Sequence, residues 1–155
     1  MGPMAVLTWL VLTPAVAAPG RAAGASRGAP AAGAALQVDS LLAAAERVAM
    51  AWRRHDFAAV VAGAGAVALH LPGTDPSAPL RPAQAAEVLR AFAEGAEEVE
   101  GSVAVARNVD RVRAYVELRR VFSVRGTTSR RMEIVYVSLR RSGAGFRVSE
   151  IRVVP

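Results

Sequence analysis

The 155-residue sequence contains no cysteine, no lysine and only two histidines. Without cysteine, the chain has no disulfide scaffold, no thiol nucleophile and no cysteine ligand for zinc or an iron–sulfur cluster. Two histidines are too few for a histidine-rich metal site, and no carboxylate pair or Ser–His–Asp set is evident. Gly63-Ala64-Gly65 follows a predicted helix, whereas a dinucleotide-binding loop follows a strand. The sequence therefore predicts no metal, no other cofactor and no assignable catalytic residue.

Length and composition predict one folded domain. Hydrophobic residues make up 53% of the chain, but 34 of them are alanines, so the larger apolar side chains suffice for a single core. Charged residues account for 21% of the chain, and the glycine and proline contents are ordinary. This composition is not that of a disordered protein.

The first residues predict a signal peptide. Residues 5–18 carry no charge, and this run is shorter than the roughly 20 apolar residues of a membrane-spanning helix. Ala15 and Ala17 supply the small side chains that signal peptidase selects, which predicts cleavage after Ala17. No arginine precedes the run, which leaves open an uncleaved N-terminus on a cytoplasmic protein. We expect residues 1–17 to direct export to the periplasm or the cell exterior, with no stable membrane insertion after cleavage.

The segment that follows predicts a spacer and then the folded domain. Residues 18–35 consist mostly of alanine, glycine and proline. They have little apolar surface to bury, so we expect a flexible linker. The folded domain is predicted over residues 36–155.

Three helices are predicted in the first part of this domain. The first has Asp39 or Ser40 as its expected N-cap, and its apolar residues recur at helical spacing. Its stripe consists of Leu41, Leu42, Ala45, Val48, Ala49 and Trp52. Asp56 is the expected N-cap of a short second helix that stops at Gly63. The third helix has Pro82 in its first turn and continues through Phe92.

Beyond Gly95 the apolar period changes from about 3.6 to 2, which predicts strands. An earlier short strand is expected at residues 66–71. The later strands are expected at residues 103–108, 112–119, 132–139 and 146–154. Helices followed by four strands joined by tight turns predict an α+β fold, with N-terminal helices packed on a strongly bent antiparallel β-sheet.

Three pairs of adjacent arginines lie at the ends of two predicted strands, residues 112–119 and 132–139. The pairs are Arg119-Arg120, Arg130-Arg131 and Arg140-Arg141. Neighbouring residues of a strand point to opposite faces, so one arginine of each pair faces the core. Because burying an unpaired guanidinium is very unfavourable, we expect the pairs at strand ends, at bulges or where both faces of the sheet are open.

Two segments and the order of elements resemble a known superfamily. Residues 80–92 read Leu-Arg-Pro-Ala-Gln-Ala-Ala-Glu-Val-Leu-Arg-Ala-Phe, and the last strand contains Gly145-Phe146-Arg147-Val148 followed by Ile151. Both are similar to a branch of small exported bacterial proteins of unknown function in the nuclear transport factor 2-like superfamily. The resemblance implies the cystatin-like cone fold, which ketosteroid isomerases, scytalone dehydratases and polyketide cyclases share. No residue here matches their pocket carboxylate or His–Asp pair, so the resemblance carries over no catalytic residue.

The candidate ligand-binding residues are Trp52, His70, Phe92 and Tyr136. Trp52 and Phe92 lie on apolar helix stripes, where they serve the core and can also form the wall of a small-molecule pocket in a cone. His70 lies in the first strand and points either into the cavity, as an acid, base or hydrogen-bond donor, or to the surface.

The remaining polar candidates have simpler structural interpretations. His55 lies at a junction between helices, where a solvated or capping role is expected. Asp75 and Asp110 lie in predicted turns, which favour aspartate for conformational reasons. Glu117 and Glu133 share strands with several arginines, so we expect cross-strand ion pairs.

Charge is distributed unevenly along the domain. Residues 38–100 contain five arginines and nine carboxylates, whereas residues 101–155 contain twelve arginines and four carboxylates. A basic sheet can attract nucleic acid, anionic lipid or acidic polysaccharide. However, the exclusive use of arginine indicates compositional bias, and aromatic residues do not alternate with the arginines as stacking platforms do. We predict no nucleic-acid partner.

The sequence favours a non-enzymatic exported domain that binds a small apolar ligand or a protein through the cone cavity or the open face of the sheet. The alternative is a small lyase, isomerase or cyclase that uses a pocket carboxylate or His70. A homodimer is expected through the outward sheet face, whose mixed charges suit self-complementary pairing. That face carries Arg113, Tyr115, Glu117 and Arg119.

Overall fold

The computed structural model describes residues 31–143 and 145–155, with side chains from Ser40 onward. Its elements are α1 (Ala31–Arg53), α2 (Phe57–Val60), β1 (Ala68–His70), α3 (Pro82–Ala93), β2 (Ala96–Asn108), β3 (Arg113–Val124), β4 (Arg130–Ser142) and β5 (Gly145–Val154). Helices precede a curved sheet, which confirms the predicted α+β class.

Helix α1 begins earlier than the sequence predicted. It starts at Ala31, so residues 31–35 are helical although they were assigned to the linker. Asp39 and Ser40 lie inside the helix, and the prediction that one of them is its N-cap is therefore wrong. Alanine has the highest helix propensity, which explains the extension. The predicted signal peptide and residues 18–30 of the predicted linker lie outside the described residues.

The buried face of α1 follows the predicted stripe with one exception. Leu42 is 49% exposed, whereas the other stripe residues are buried. These are Leu41, Ala45, Val48, Ala49 and Trp52. The apolar spacing therefore identified the face of α1 that packs on the rest of the domain.

The two shorter helices start where the sequence predicted. The Asp56 carboxylate accepts a hydrogen bond from the Ala59 N–H at 3.0 Å and so caps α2. The chain after α2 reaches Gly63 with a φ of 71°, a conformation that favours glycine. Pro82 is the first residue of α3.

The sheet is mixed, with the strand order β1-β5-β4-β3-β2. Strands β2 to β5 form the predicted antiparallel meander. Strand β1 adds to β5 in parallel, a pairing that the sequence analysis did not assign. Helix α3 and strands β2 to β4 separate these two strands along the chain, and a parallel pair requires such a long connection.

Three strands are longer than predicted, and one of them, β3, ends at Val124 instead of residue 119. Strand β2 starts at Ala96 instead of residue 103, and β4 starts at Arg130 instead of residue 132. Register shifts between Glu98 and Glu100 and between Val103 and Val105 mark bulges in β2. Bulges bend a strand, and the sheet is curved.

The helices cover one face of this sheet. Alternate residues of β3 and β4 point to that face and are buried. They are Ala114, Val116 and Leu118 in β3, with Val135, Val137 and Leu139 in β4. We name the opposite side the open face, and it carries the predicted row Arg113, Tyr115, Glu117 and Arg119.

Candidate functional site

Arg120 is buried inside the cone with its charge neutralised. It is 2% exposed and lies on the helix-covered face of β3. Its Nε donates to Oε1 of Glu98 at 2.7 Å, and its Nη1 donates to Oε2 of Glu133 at 2.8 Å. Nε2 of His55 lies 3.2 Å from the same Glu98 oxygen. We name these four residues the Arg120 cluster.

Aromatic side chains surround the Arg120 guanidinium. Its Cζ lies 4.2 Å from the ring centroid of Phe122, 5.6 Å from that of Phe92 and 5.8 Å from that of Trp52. At such distances a cation is attracted by the electron-rich faces of the rings. The protein's own guanidinium therefore occupies the aromatic part of the cone, with helix and sheet side chains on both sides.

The arginine pairs follow the prediction at two of three places. Arg130 and Arg131 are exposed at the start of β4, and Arg140 and Arg141 lie near its end. Arg120 departs from the prediction because it is buried. Two carboxylates compensate its charge, which removes the penalty expected for an unpaired guanidinium.

The Arg120 cluster and the neighbouring Trp52 retain polar atoms without a partner in the described part of the chain. These buried atoms are Nε1 of Trp52, Oε2 of Glu98 and Nη2 of Arg120. One oxygen of Glu98 and one of Glu133 already accept charge-assisted hydrogen bonds from Arg120. The cluster can hold a small polar group by hydrogen bonds, but its carboxylates are engaged by a fixed cation.

The open face carries a groove of small-molecule size. A cavity of about 720 Å³ lies at the end of the sheet where β3 begins, and Arg140 and Arg147 contribute to its wall. A second cavity of about 470 Å³ lies over Tyr136. Tyr115, Ser138 and Glu150 line both cavities, so the two lie next to each other. We name them together the open-face groove, and their volumes are typical of ligand sites.

The four candidate ligand-binding residues divide between these two places. Trp52 and Phe92 lie in the interior, beside Arg120. Tyr136 is 37% exposed and lines the open-face groove. His70 lies on the edge strand β1, where its Nε2 is 3.4 Å from Oε1 of Glu150. The structure therefore places His70 beside the groove and not among the residues that surround Arg120.

The sequence did not identify which residues meet in the Arg120 cluster and in the open-face groove. Glu98 was not singled out, because no alternation marks the first half of β2 as a strand. The ion pair predicted for Glu133 is present, with Arg120 as its partner. The opposition of Arg140 to Arg147 depends on strand register, which no sequence pattern here shows.

The described residues contain neither a metal-binding group nor a membrane-spanning helix. Within residues 31–143 and 145–155, no group of three or more His, Cys, Asp or Glu side chains is arranged so that it could hold a metal ion. None of the helices in this part of the chain is long and apolar enough to cross a bilayer.

Sequence comparisons find no match: no protein-family model matches the chain, and no curated protein matches it. Solved structures do match. A ketosteroid isomerase-like protein from Erwinia carotovora is 18% identical with a TM-score of 0.61, covering 76% of this chain and 94% of that protein. A domain of unknown function with a cystatin-like fold from Nostoc punctiforme is 13% identical with a TM-score of 0.59, covering 76% of each chain.

A third similar structure is a nuclear transport factor 2-like protein of unknown function from Shewanella oneidensis. It is 13% identical with a TM-score of 0.53, and the match covers 75% of this chain and 97% of that protein. The chain therefore has the nuclear transport factor 2-like, cystatin-like fold, as the resemblance implied. At these identities the likeness concerns the fold, and function has to be argued from the chain's own residues.

Proposed function

We propose that the chain is a non-enzymatic binding domain that takes a small ligand on the open face of its sheet. One observation carries the proposal: the open-face groove has the size of a ligand site, whereas the cone interior is packed. Inside the cone, core side chains contact one another and Arg120 fills the aromatic end. A ligand beside Trp52 and Phe92 would have to displace the Arg120 guanidinium, whose Cζ lies 5.8 Å and 5.6 Å from the centroids of the two rings.

The groove combines features that recur in ligand sites. Tyr115 and Tyr136 supply aromatic surface, and Ser138, Glu150 and Arg152 supply polar groups. Aromatic walls with a few convergent polar groups bury a ligand and fix its orientation. The two tyrosines lie on adjacent strands and the same face, so one planar or extended ligand can contact both.

The test is identification of small molecules carried by the protein from its native compartment. We expect mass spectrometry to find a ligand that is retained by wild type and lost from Tyr136→Ala. The matched control is Met132→Ala, which removes another exposed apolar side chain from β4 outside the groove. Retention of the same ligand by Tyr136→Ala, or its loss from an Arg120 variant alone, would move the site to the interior.

Export remains part of this proposal. It is supported by the uncharged run at residues 5–18 and the small residues Ala15 and Ala17. N-terminal sequencing of mature protein is expected to begin at Ala18. Soluble cytoplasmic protein that retains Met1 would contradict the signal-peptide assignment.

A small lyase, isomerase or cyclase is the second candidate. The specific observation in its favour is that Oε2 of Glu98 and Nε1–H of Trp52, two residues that both contact Arg120, are buried without a hydrogen-bond partner among the described residues. If this reading is right, turnover of a β,γ-unsaturated ketosteroid by wild type will disappear in Glu98→Gln. Because Oε1 of Glu98 is held by Arg120, we expect this test to fail. Wild type and Glu98→Gln should then both convert the steroid only at the uncatalysed rate.

A further inference from the structure

Three arginines lie directly opposite one another on three adjacent strands. Arg113 of β3 is in register with Arg140 of β4, and Arg140 is in register with Arg147 of β5. Like charges at opposed positions of neighbouring strands destabilise a sheet. We name these residues the arginine row. Such an arrangement is stable only where compensating negative charge or other packing offsets the repulsion.

The described residues supply little compensating charge. Asp110 pairs with Arg113 at 2.7 Å, but no described carboxylate lies within ion-pair distance of Arg140 or Arg147. Glu150 is the carboxylate on the wall of the larger cavity, and it is already shared. Its Oε1 lies 3.4 Å from the His70 imidazole and 3.7 Å from the Arg152 guanidinium.

The arginine row lines one end of the open-face groove. All three side chains, together with Arg141, border the cavity of about 720 Å³. The loop before β1 packs against one of them: a Cβ atom added to Gly63 would lie 2.6 Å from Nε of Arg147. The cavity is larger than a bare inorganic anion needs and within the range of small organic ligands.

We propose that the arginine row binds a multivalent oxyanion, a phosphate or sulfate group carried by a small organic ligand whose remainder lies over Tyr115 in the open-face groove. Guanidinium groups bind such oxygens in bidentate geometry. Arg140 and Arg147 have no ion-pair partner among the described residues, and Nη1 of Arg147 makes only a long hydrogen bond, of 3.5 Å, to the Phe146 carbonyl. This inference rests on the proposed function, because it assigns a chemical class to the ligand of the same groove.

Calorimetric titration of the whole protein with phenyl phosphate and with inorganic pyrophosphate tests the proposal. We expect both to bind, phenol not to bind, and the affinity to fall with increasing salt. The double variant Arg140→Ala/Arg147→Ala should weaken binding at least about tenfold, because it removes two charge-assisted contacts. The matched control Arg130→Ala/Arg131→Ala removes the same charge from an exposed pair elsewhere and should stay within about twofold of wild type.

Vesicles that contain phosphatidic acid distinguish a lipid headgroup from a soluble phosphate ester as the source of the anion. Vesicle binding that the arginine-row variant abolishes supports the proposal with a lipid as ligand. Equal loss of affinity in both double variants indicates attraction to net charge alone and overturns it. Absence of binding to every probe at low salt also overturns it.

Folding of the variant is checked by its unfolding transition. Removing opposed like charges should leave the arginine-row variant at least as stable as wild type. Identification of the native ligand tests the proposed function independently of these titrations. If that ligand is uncharged and its binding requires Tyr136, the proposal that the chain is a binding domain stands, and only the proposal of an oxyanion ligand is contradicted.

Discussion

At the residue scale, Arg120 determines what the cone can contain. A buried guanidinium is favourable only when carboxylates and ring faces replace the water that it loses. Glu98 on β2 and Glu133 on β4, the two strands that flank β3, supply the carboxylates. Three aromatic rings complete the surroundings of the guanidinium. The side chain that a ligand would have to displace is therefore also part of the core.

Replacing Arg120 by alanine should destabilise the fold by about 3–5 kcal/mol, because the largely buried carboxylates of Glu98 and Glu133 lose their cation. Arg119→Ala is the matched control: the exposed neighbour should change stability by less than about 0.5 kcal/mol. Urea unfolding measures both. Methylguanidinium should restore stability to Arg120→Ala more than to Arg119→Ala, and equal effects of the two substitutions would contradict the assigned ion pairs.

Asp110, in the turn between β2 and β3, makes the stability of the fold depend on pH in the acid range. The hydrogen bond from the Arg113 side chain, followed by that from the Val112 N–H, holds the pKa of Asp110 below its usual range. A lowered folded-state pKa stabilises the fold above the unfolded pKa of about 4, and this contribution is lost as pH falls through the folded value. Asp110→Asn keeps an acceptor oxygen for the turn but should flatten the acid side of the melting-temperature profile. An unchanged profile would exclude this role.

At the element scale, periodicity predicted the elements better than their ends. The stripe ending at Trp52 and the alternation in β3 identified buried faces correctly, because burial imposes those periods directly. The start of β2 could not be predicted, since Glu97, Glu98 and Glu100 show no alternation and are held by pairing with β3. Site residues share this limit: Trp52 was found on its stripe, whereas Glu98 became visible only through strand register.

Alanine variants of two glycines in the loops around β1 distinguish the cost of backbone strain from the cost of a steric contact. Gly63 and Gly73 both have positive φ, of 71° and 76°, but only an alanine at position 63 would press on Arg147. Gly73→Ala should cost roughly 1–2 kcal/mol from its left-handed backbone alone. Gly63→Ala should cost more and also weaken pyrophosphate binding. Thermal unfolding and the titration measure these effects, and identical behaviour of both variants would rule out the Gly63–Arg147 contact.

At the scale of the whole molecule, the charge of the open face governs how two copies can meet. The face carries Arg113, Arg119, Arg140, Arg147 and Arg152 against Glu117 and Glu150. Pairing through this face brings like charge together, although Tyr136 and Val154 offer some exposed apolar surface. The homodimer predicted from the sequence would then need screening ions.

We expect association of two copies through the open face to strengthen with salt, because screening reduces the repulsion between the arginines. Sedimentation analysis at low and high ionic strength measures the effect. Tyr136→Arg should abolish the dimer, whereas Leu42→Arg on the exposed side of α1 should not. A dimer that weakens with salt or survives Tyr136→Arg would place the contact elsewhere.

The parallel pairing of β1 with β5 has a consequence for how the polypeptide matures. The last strand is the neighbour of both β1 and β4, so β1 has no sheet partner and β4 has only one until residues 145–154 have been synthesised. Contacts between such distant segments form slowly and late. A chain still emerging from the ribosome therefore exposes the backbone hydrogen-bonding groups of β1 and of one side of β4 until β5 has appeared.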